Sequence, residues 1–203
     1  MSPDPTGRAL SAIAFTPSVR RVQERHGSRA ANDRIDAHAG AQDRIGPDER
    51  AFIEDADTFF MASTGENGWP YVQHRGGPRG FLRVLDERTL GFADFAGNRQ
   101  YISVGNLEHD GRVMLILVDF ATRGRFKLWG RARIVEADAD PALAVRLAVP
   151  GYKAKVERAC IIDVEAFDYN CPQHIVQRFS VAELRAVAGT PDGRAWLQHE
   201  LGL

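Results

Sequence analysis

The sequence predicts a mainly β protein, a Greek-key-like antiparallel barrel with peripheral helices. Three observations carry that expectation. The segment RGRFKLWGRARIVE (123–136) alternates strictly, with Phe126, Leu128, Gly130, Ala132 and Ile134 on one face. Arg125, Lys127, Trp129, Arg131 and Arg133 fall on the other, the period-2 signature of a half-buried strand. Strand-like runs follow one another from residue 59 to 94 with only short polar turns between them. Helical patterns are missing between most of the strands, and a parallel α/β fold would require them.

The elements can be justified in chain order. Residues 1–46 are rich in Arg, Asp, Ala and Gly and poor in large apolar side chains, so they read as an N-terminal arm, partly helical or extended. Within it SVRRVQERHG has a short helical pattern, and AANDRIDAHAGAQDRIG reads as a loosely attached stretch. A helix is expected over 47–57, where Pro47 suits the first helical position and Asp48 and Glu49 suit the positive end of the helix dipole. FFMAST (59–64), the turn GENG and WPYVQHRGG (69–77) form a hairpin, and FLRVLD (81–86) and TLGFAD (89–94) give two more strands. A short helix is expected in NRQYISVGNLEHD, weakened by Gly105. RVMLILVDF (112–120) is apolar on both faces and reads as a strand buried on both sides. After the 123–136 strand, DPALAVRLAV (140–149) reads as a helix capped by Asp140, with Pro141 at its first position. AKVERACIIDVEAFDYN (154–170) returns to strand, and residues 181–203 form a C-terminal helical tail. The barrel domain is thus expected over 47–180.

Composition narrows function by exclusion. The chain has 203 residues and a formal net charge of -1, so no global positive field favours nucleic acid or an anionic membrane, and an anion site must be local. The longest apolar run, Val113 to Val118, is too short to span a bilayer. Two cysteines, Cys160 and Cys171, do not make a disulfide framework, and with no secretory signal the expectation is reduced thiols in the cytoplasm. The sequence has no GxGxxG after an opening strand, no GxxxxGK[ST] loop, no GxSxG elbow and no HExxH helix.

Four segments could carry chemistry. QHRGGPRGF (73–81) ends a strand with Gln73, His74 and Arg75 before Gly76 and Gly77: a guanidinium fork for phosphate beside glycines that admit close approach to the backbone. The same residues also read as a surface arginine and a Gly-Gly turn. In DFAGNRQYISVGNL (94–107), Asn98 reads as an N-cap with Arg99 and Gln100 in the first helical turn. A cation at the positive end of a helix is unfavourable unless an anionic ligand offsets it, although a solvated arginine would tolerate the small cost. Arg125, Lys127, Arg131 and Arg133 surround Trp129, either as an interface or as an ordinary solvated face. NCPQHIVQRF (170–179) clusters Cys171, Gln173, His174 and Arg178, and reads as a ligand-contacting tail rather than a nucleophile dyad or metal site, for which it has too few ligands.

The blocks QHRGGPRGF, GFADFAGNRQYISVGNL, RVMLILVDF and RGRFKLWGRARIVE resemble the pyridoxamine 5′-phosphate oxidase-like, FMN-binding split-barrel proteins, in particular an oxidase-related flavin-nucleotide-binding subgroup. The resemblance spans about residues 47–180. It implies a split β-barrel, a homodimer with FMN at the subunit interface, and an FMN-dependent oxidoreductase of unknown substrate. It implies cofactor contacts from Gln73, His74, Arg75, Gly76, Gly77, Ala93, Asp94, Asn98, Arg99, Gln100 and Arg125, the last five residues before Gly130. Lys127, Trp129, Gln173, His174 and Arg178 would shape the substrate side. It names no obligatory catalytic acid or base and no metal. The oxidase itself has a more basic strand end and a Ser-Arg-Lys helix start where this chain reads HRGG and GNR, and its C-terminal substrate-binding Arg and His pattern is not recognisable here. A kept flavin site without the vitamin B6 site is therefore expected. The alternatives are a non-enzymatic flavin carrier, a split-barrel protein using deazaflavin or haem, and a barrel that has lost its ligand and serves in protein association.

Overall fold

A computed structural model describes residues 10–39, 42–170 and 172–201. Its centre is one seven-stranded, wholly antiparallel sheet, in the order β2-β1-β5-β6-β7-β4-β3. The strands are β1 (Thr58–Thr64), β2 (Pro70–Gly76), β3 (Leu82–Asp86), β4 (Thr89–Phe95), β5 (Arg112–Asp119), β6 (Gly124–Glu136) and β7 (Val156–Asn170). The helices are α1 (Leu10–Ala14), α2 (Pro17–Arg25), α3 (Arg29–Ala39), α4 (Pro47–Asp55), α5 (Ile102–His109), α6 (Pro141–Leu147), α7 (Val181–Ala188) and α8 (Pro191–Leu201).

The sheet is curled. Laid flat, β2 and β4 would stand five strand spacings apart, about 24 Å. Yet Arg75 on β2 and Asp94 on β4 form an ion pair of 2.5 Å. Phe59 on β1 meets the ring of Phe92 on β4 edge-on, with centroids 5.4 Å apart. One core fills the curl: Phe59 and Met61, Leu90 and Phe92, Leu115 and Leu117, Phe126 and Leu128, and Ile162 are all buried. At about 1.5–3 kcal/mol per large apolar side chain, this core is the dominant stabilising contribution. The sheet does not close, because β2 and β3 remain its two edges. This is a split β-barrel with peripheral helices. A smaller core on the other side of β4 and β7 seats Leu147 of α6 against Ala93, Ala159 and Ile161.

Local chemistry explains the boundaries. The Gly46 N–H donates to the Glu49 carboxylate at 2.9 Å at the start of α4, and Asp140 accepts from the Leu143 N–H at 2.9 Å at the start of α6. β6 keeps the expected alternation, with a bulge where Trp129 pairs with Ala166 but Gly130 with Val164. A Cβ on Gly130 would lie 2.5 Å from the Asp163 carbonyl oxygen, so only glycine lets the two strands approach there.

Two expectations need correction. The stretch read as loosely attached contains α3, and residues 42–45 are stitched to the sheet. Ile45 N–H donates to Glu87 (2.7 Å), Phe167 N–H donates to Gln42 (2.8 Å), and Asp43 pairs with Arg88. Second, β5 is buried on one face only: Val113, Leu115 and Leu117 are inside, whereas Met114, Ile116 and Val118 are half-buried. Cross-strand pairing puts Met114 and Ile116 on one outer surface with Ala62, Phe60, Val72 and Trp129. Phe60 is 37% and Val72 60% exposed, so an apolar face of four adjacent strands reaches solvent in the single chain.

Candidate functional site: a basic cleft at the split

Along a strand, alternate side chains face the core, and at the open end of the barrel that inner face turns polar. Asp94 is in phase with Leu90 and Phe92, and Arg158 is in phase with Cys160 and Ile162. These two residues are Cα partners across β4 and β7. Arg75 closes the third side. Its Nη1 donates to Asp94 Oδ1 at 2.5 Å, while Arg158 Nη1 donates to Asp94 Oδ2 at 3.1 Å. The carboxylate therefore holds two guanidiniums from strands on opposite sides of the split. Glu157 and the more exposed Glu136 pair with the rest of Arg158. Burial works against the Arg158 charge, but Asp94 and Glu136 outweigh it and hold its pKa above the ordinary arginine value.

Above this triad sits the start of α5. Tyr101 occupies the N-cap position and offers no side-chain acceptor to the first-turn N–H groups. Ile102, Ser103 and Val104 of that turn line a cleft of about 60 Å³. The cleft is completed by Gln73, Arg75, Asp94, Asn98, Arg99, Gln100, Tyr101 and Arg158. Ser103 is buried, and its hydroxyl donates to Gln73 Oε1 at 2.7 Å, which ties the helix to β2. The Arg158 guanidinium lies 4.9 Å over the Tyr101 ring, and Arg99 Nε donates to the Tyr101 hydroxyl at 3.2 Å. Among lining residues the charges are three arginines against one aspartate. The buried Nε of Arg75 has no hydrogen-bond partner among the described residues, and that of Arg158 makes no hydrogen bond but lies 3.4 Å from Glu136 Oε1.

The N-cap expected at Asn98 lies elsewhere: α5 begins at Ile102. Asn98 Oδ1 instead accepts the Gln100 N–H at 3.2 Å, forming a local turn, and Arg99 and Tyr101 take left-handed backbone (φ 61° and 53°) that ends any helical path before residue 102. Arg99 and Gln100 are thus loop residues in front of the helix rather than its first turn.

The cleft brings together Gln73, Arg75, Asp94, Asn98, Arg99 and Gln100. The other expected site residues lie apart. His74 faces the outer surface, bonded to Thr58 Oγ1 at 2.6 Å. Gly76 and Gly77 are packing glycines, for a Cβ on Gly77 would lie 2.9 Å from Phe81. Ala93 faces the second core under α6. Arg125, Lys127 and Trp129 stand on the outer face of β6, with Lys127 5.4 Å over the Trp129 ring and paired with Asp168. Gln173 and His174 are exposed beyond β7, and Arg178 lines a different cavity. Cys171 lies outside the described residues, whereas Cys160 is buried, which pushes its thiol up to about 12 and leaves it inert. Arg158, Tyr101 and Ser103 were not anticipated. A charged residue in phase with Cys160 and Ile162 on a core strand was the available signal for Arg158.

The chain is thus a split barrel whose open end gathers guanidiniums around an uncapped helix start. The chain belongs to the pyridoxamine 5′-phosphate oxidase family, whose model matches residues 45–187. Solved structures with similar folds include HupZ of Group A Streptococcus (19% identity, 66% of this chain and 99% of that one, TM-score 0.45). An FMN-binding protein of Syntrophomonas wolfei (12%, 76% and 95%, TM-score 0.46) is another. A third is a Clostridium acetobutylicum protein related to general stress protein 26 (17%, 67% and 94%, TM-score 0.46). No curated protein matches the chain. No helix among the described residues is long and apolar enough to cross a membrane.

Proposed function

We propose that this protein binds FMN and is an FMN-dependent oxidoreductase, with the cofactor's phosphate in the basic cleft. The observation that carries the reading is the cleft itself: three guanidiniums line it together with the first turn of α5, which no side chain caps, and the buried Nε of Arg75 has no hydrogen-bond partner among the described residues. A phosphate monoester satisfies each of these needs at once. The cleft of about 60 Å³ suits a phosphoryl group and not a three-ring system, so the isoalloxazine belongs outside it, along the mouth of the split. Arg75, Arg99 and Arg158 would hold the phosphate, and Gln73, Asn98 and Gln100 the polar tail. When bound, the flavin would supply the electron transfer, and the chain would supply orientation and electrostatics.

The outer face of Phe60, Ala62, Val72, Met114, Ile116 and Trp129 supports a homodimer. An apolar surface spanning four strands is costly in a monomer, and a second copy would cover it and roof the exposed side of the cofactor.

The test is the visible spectrum after incubation with FMN and gel filtration. Flavin co-eluting at one per chain, with Arg75→Ala lowering affinity for FMN tenfold or more but affinity for riboflavin much less, is the expected result. Elution free of flavin overturns the reading, and equal losses for FMN and riboflavin remove the phosphate from the cleft.

A further inference from the structure

A second cavity, of about 220 Å³, lies between α4, the β5–β6 turn and the C-terminal segment. Its apolar wall is Phe52, Val118, Phe120 and Phe179. Six charged side chains also line it, and four are accounted for. Arg79 pairs with both Asp55 and Glu183. Asp119 accepts from the N–H groups of Ala121 and Thr122 and from the Thr122 hydroxyl. The remaining two are Asp57 and Arg178. Asp57 makes no side-chain hydrogen bond or ion pair among the described residues, and feels Arg79 only through space. Arg178 meets no carboxylate there, and its guanidinium lies 5.1 Å from the centre of the Phe120 ring.

The two unmatched charges are opposite in sign and line the same cavity. Asp57 immediately precedes β1, which pairs with β5. On the other side, Arg178 N–H donates to the Phe120 carbonyl at 3.2 Å, and Gln177 Nε2 donates to the Ala121 carbonyl at 2.6 Å, so the segment bearing Arg178 is fixed. A carboxylate and a guanidinium that share a cavity without touching, over an aromatic floor, are complementary to a small molecule with a cation at one end, an anion at the other and an apolar body.

We infer that this cavity binds a small zwitterion of the α-amino-acid type, with Arg178 taking its carboxylate, Asp57 its ammonium, and Phe52, Phe120 and Phe179 its side chain. The planar fork of arginine suits a carboxylate. The site is separate from the basic cleft, and the inference does not depend on flavin binding.

The experiment is calorimetric titration of the full-length protein with L-leucine, 4-methylpentanoate, 3-methylbutylamine and 3-methylbutanol. These share the branched chain and differ in the charges they carry. L-leucine is expected to bind best, and each singly charged analogue at least tenfold more weakly. Arg178→Gln should remove the advantage of L-leucine over the amine, and Asp57→Asn its advantage over the carboxylate. Both side chains are exposed and outside the core, so unchanged melting temperatures in the variants confirm that the fold is kept. Absence of L-leucine binding, equal affinity for all four compounds, or variants that discriminate as the wild type does would each overturn the inference.

Discussion

Two regions of this barrel contain arginine–carboxylate pairs of similar geometry, and their surroundings make them different in kind. On the outer face of β6 and β7, Arg131 meets Glu165 at 2.7 Å and Arg133 meets Asp163 at 2.9 Å, with both arginine side chains more than half exposed. At the split, Asp94 and Arg158 are each only 9% exposed, and the single carboxylate serves two guanidiniums. In water an ion pair exchanges one good solvation for another and contributes little. Away from water, Arg75 cannot lose Asp94 without leaving an uncompensated charge, although Arg158 keeps Glu136 and Glu157. The outer pairs decorate the sheet, whereas the inner triad holds the two sides of the split together and positions the cleft.

The strongest way to break that contrast is Asp94→Asn. It keeps the shape but leaves Arg75 and Arg158 facing each other without their shared anion. A loss of about 3–5 kcal/mol is expected, read as a lower midpoint in urea denaturation. Phosphate or FMN added in excess should restore part of it, because an anion bound only by the native state stabilises that state. A loss below about 1 kcal/mol would mean that the triad behaves like the outer pairs.

The bulge between the two regions sharpens the comparison on the backbone side. Gly130→Ala places a methyl 2.5 Å from the Asp163 carbonyl oxygen and 2.9 Å from Ile162 Cγ2. Backbone cannot rotate away as a flexible side-chain tip can, so about 1–3 kcal/mol of destabilisation is expected in the same denaturation experiment. An unchanged midpoint would show that β6 and β7 can separate there freely. Next in size come Arg131→Ala and Arg133→Ala, each expected to cost under about 1 kcal/mol, with the difference shrinking in high salt. A larger, salt-insensitive loss at either position would end the distinction between the two regions.

Much of this fold was legible because its signals are local. Strict alternation in 123–136 marked which side chains of β6 face the core, and Pro47 and Asp140 marked helix starts. The flavin-type blocks pointed to Gln73, Arg75 and the 98–100 loop, which the structure brings into one cleft. What escaped depends on distance along the chain. Arg158 reaches Asp94 across 64 residues, and no window around ERACII shows that β4 supplies its partner. Ala93 and Asp94 are adjacent in sequence, but the pleat sends one into the second core and the other into the cleft. The start of α5 was misplaced because Asn98 can cap either a helix or a turn. The left-handed backbone at Arg99 and Tyr101 decides for the turn.

Glu183 lies between the two regions in character. One carboxylate oxygen meets the exposed Arg79 at 3.2 Å, while the other accepts the Ser180 backbone N–H at 2.7 Å and caps α7. Its hydrogen bonds to Ser180, backbone and side chain, lower its pKa below the ordinary glutamate value of 4.5. A depressed folded-state pKa contributes stability that is present above the unfolded value and lost as pH falls through the folded one. The site is close to solvent, so the contribution is small, and a local probe reads it better than global unfolding. In an amide NMR titration, the Ser180 N–H resonance is expected to move with a midpoint below 4.5, and Glu183→Gln should abolish the movement. A midpoint at or above 4.5 would show that the cap does not favour the charged form, and would place this carboxylate with the outer pairs of β6 and β7.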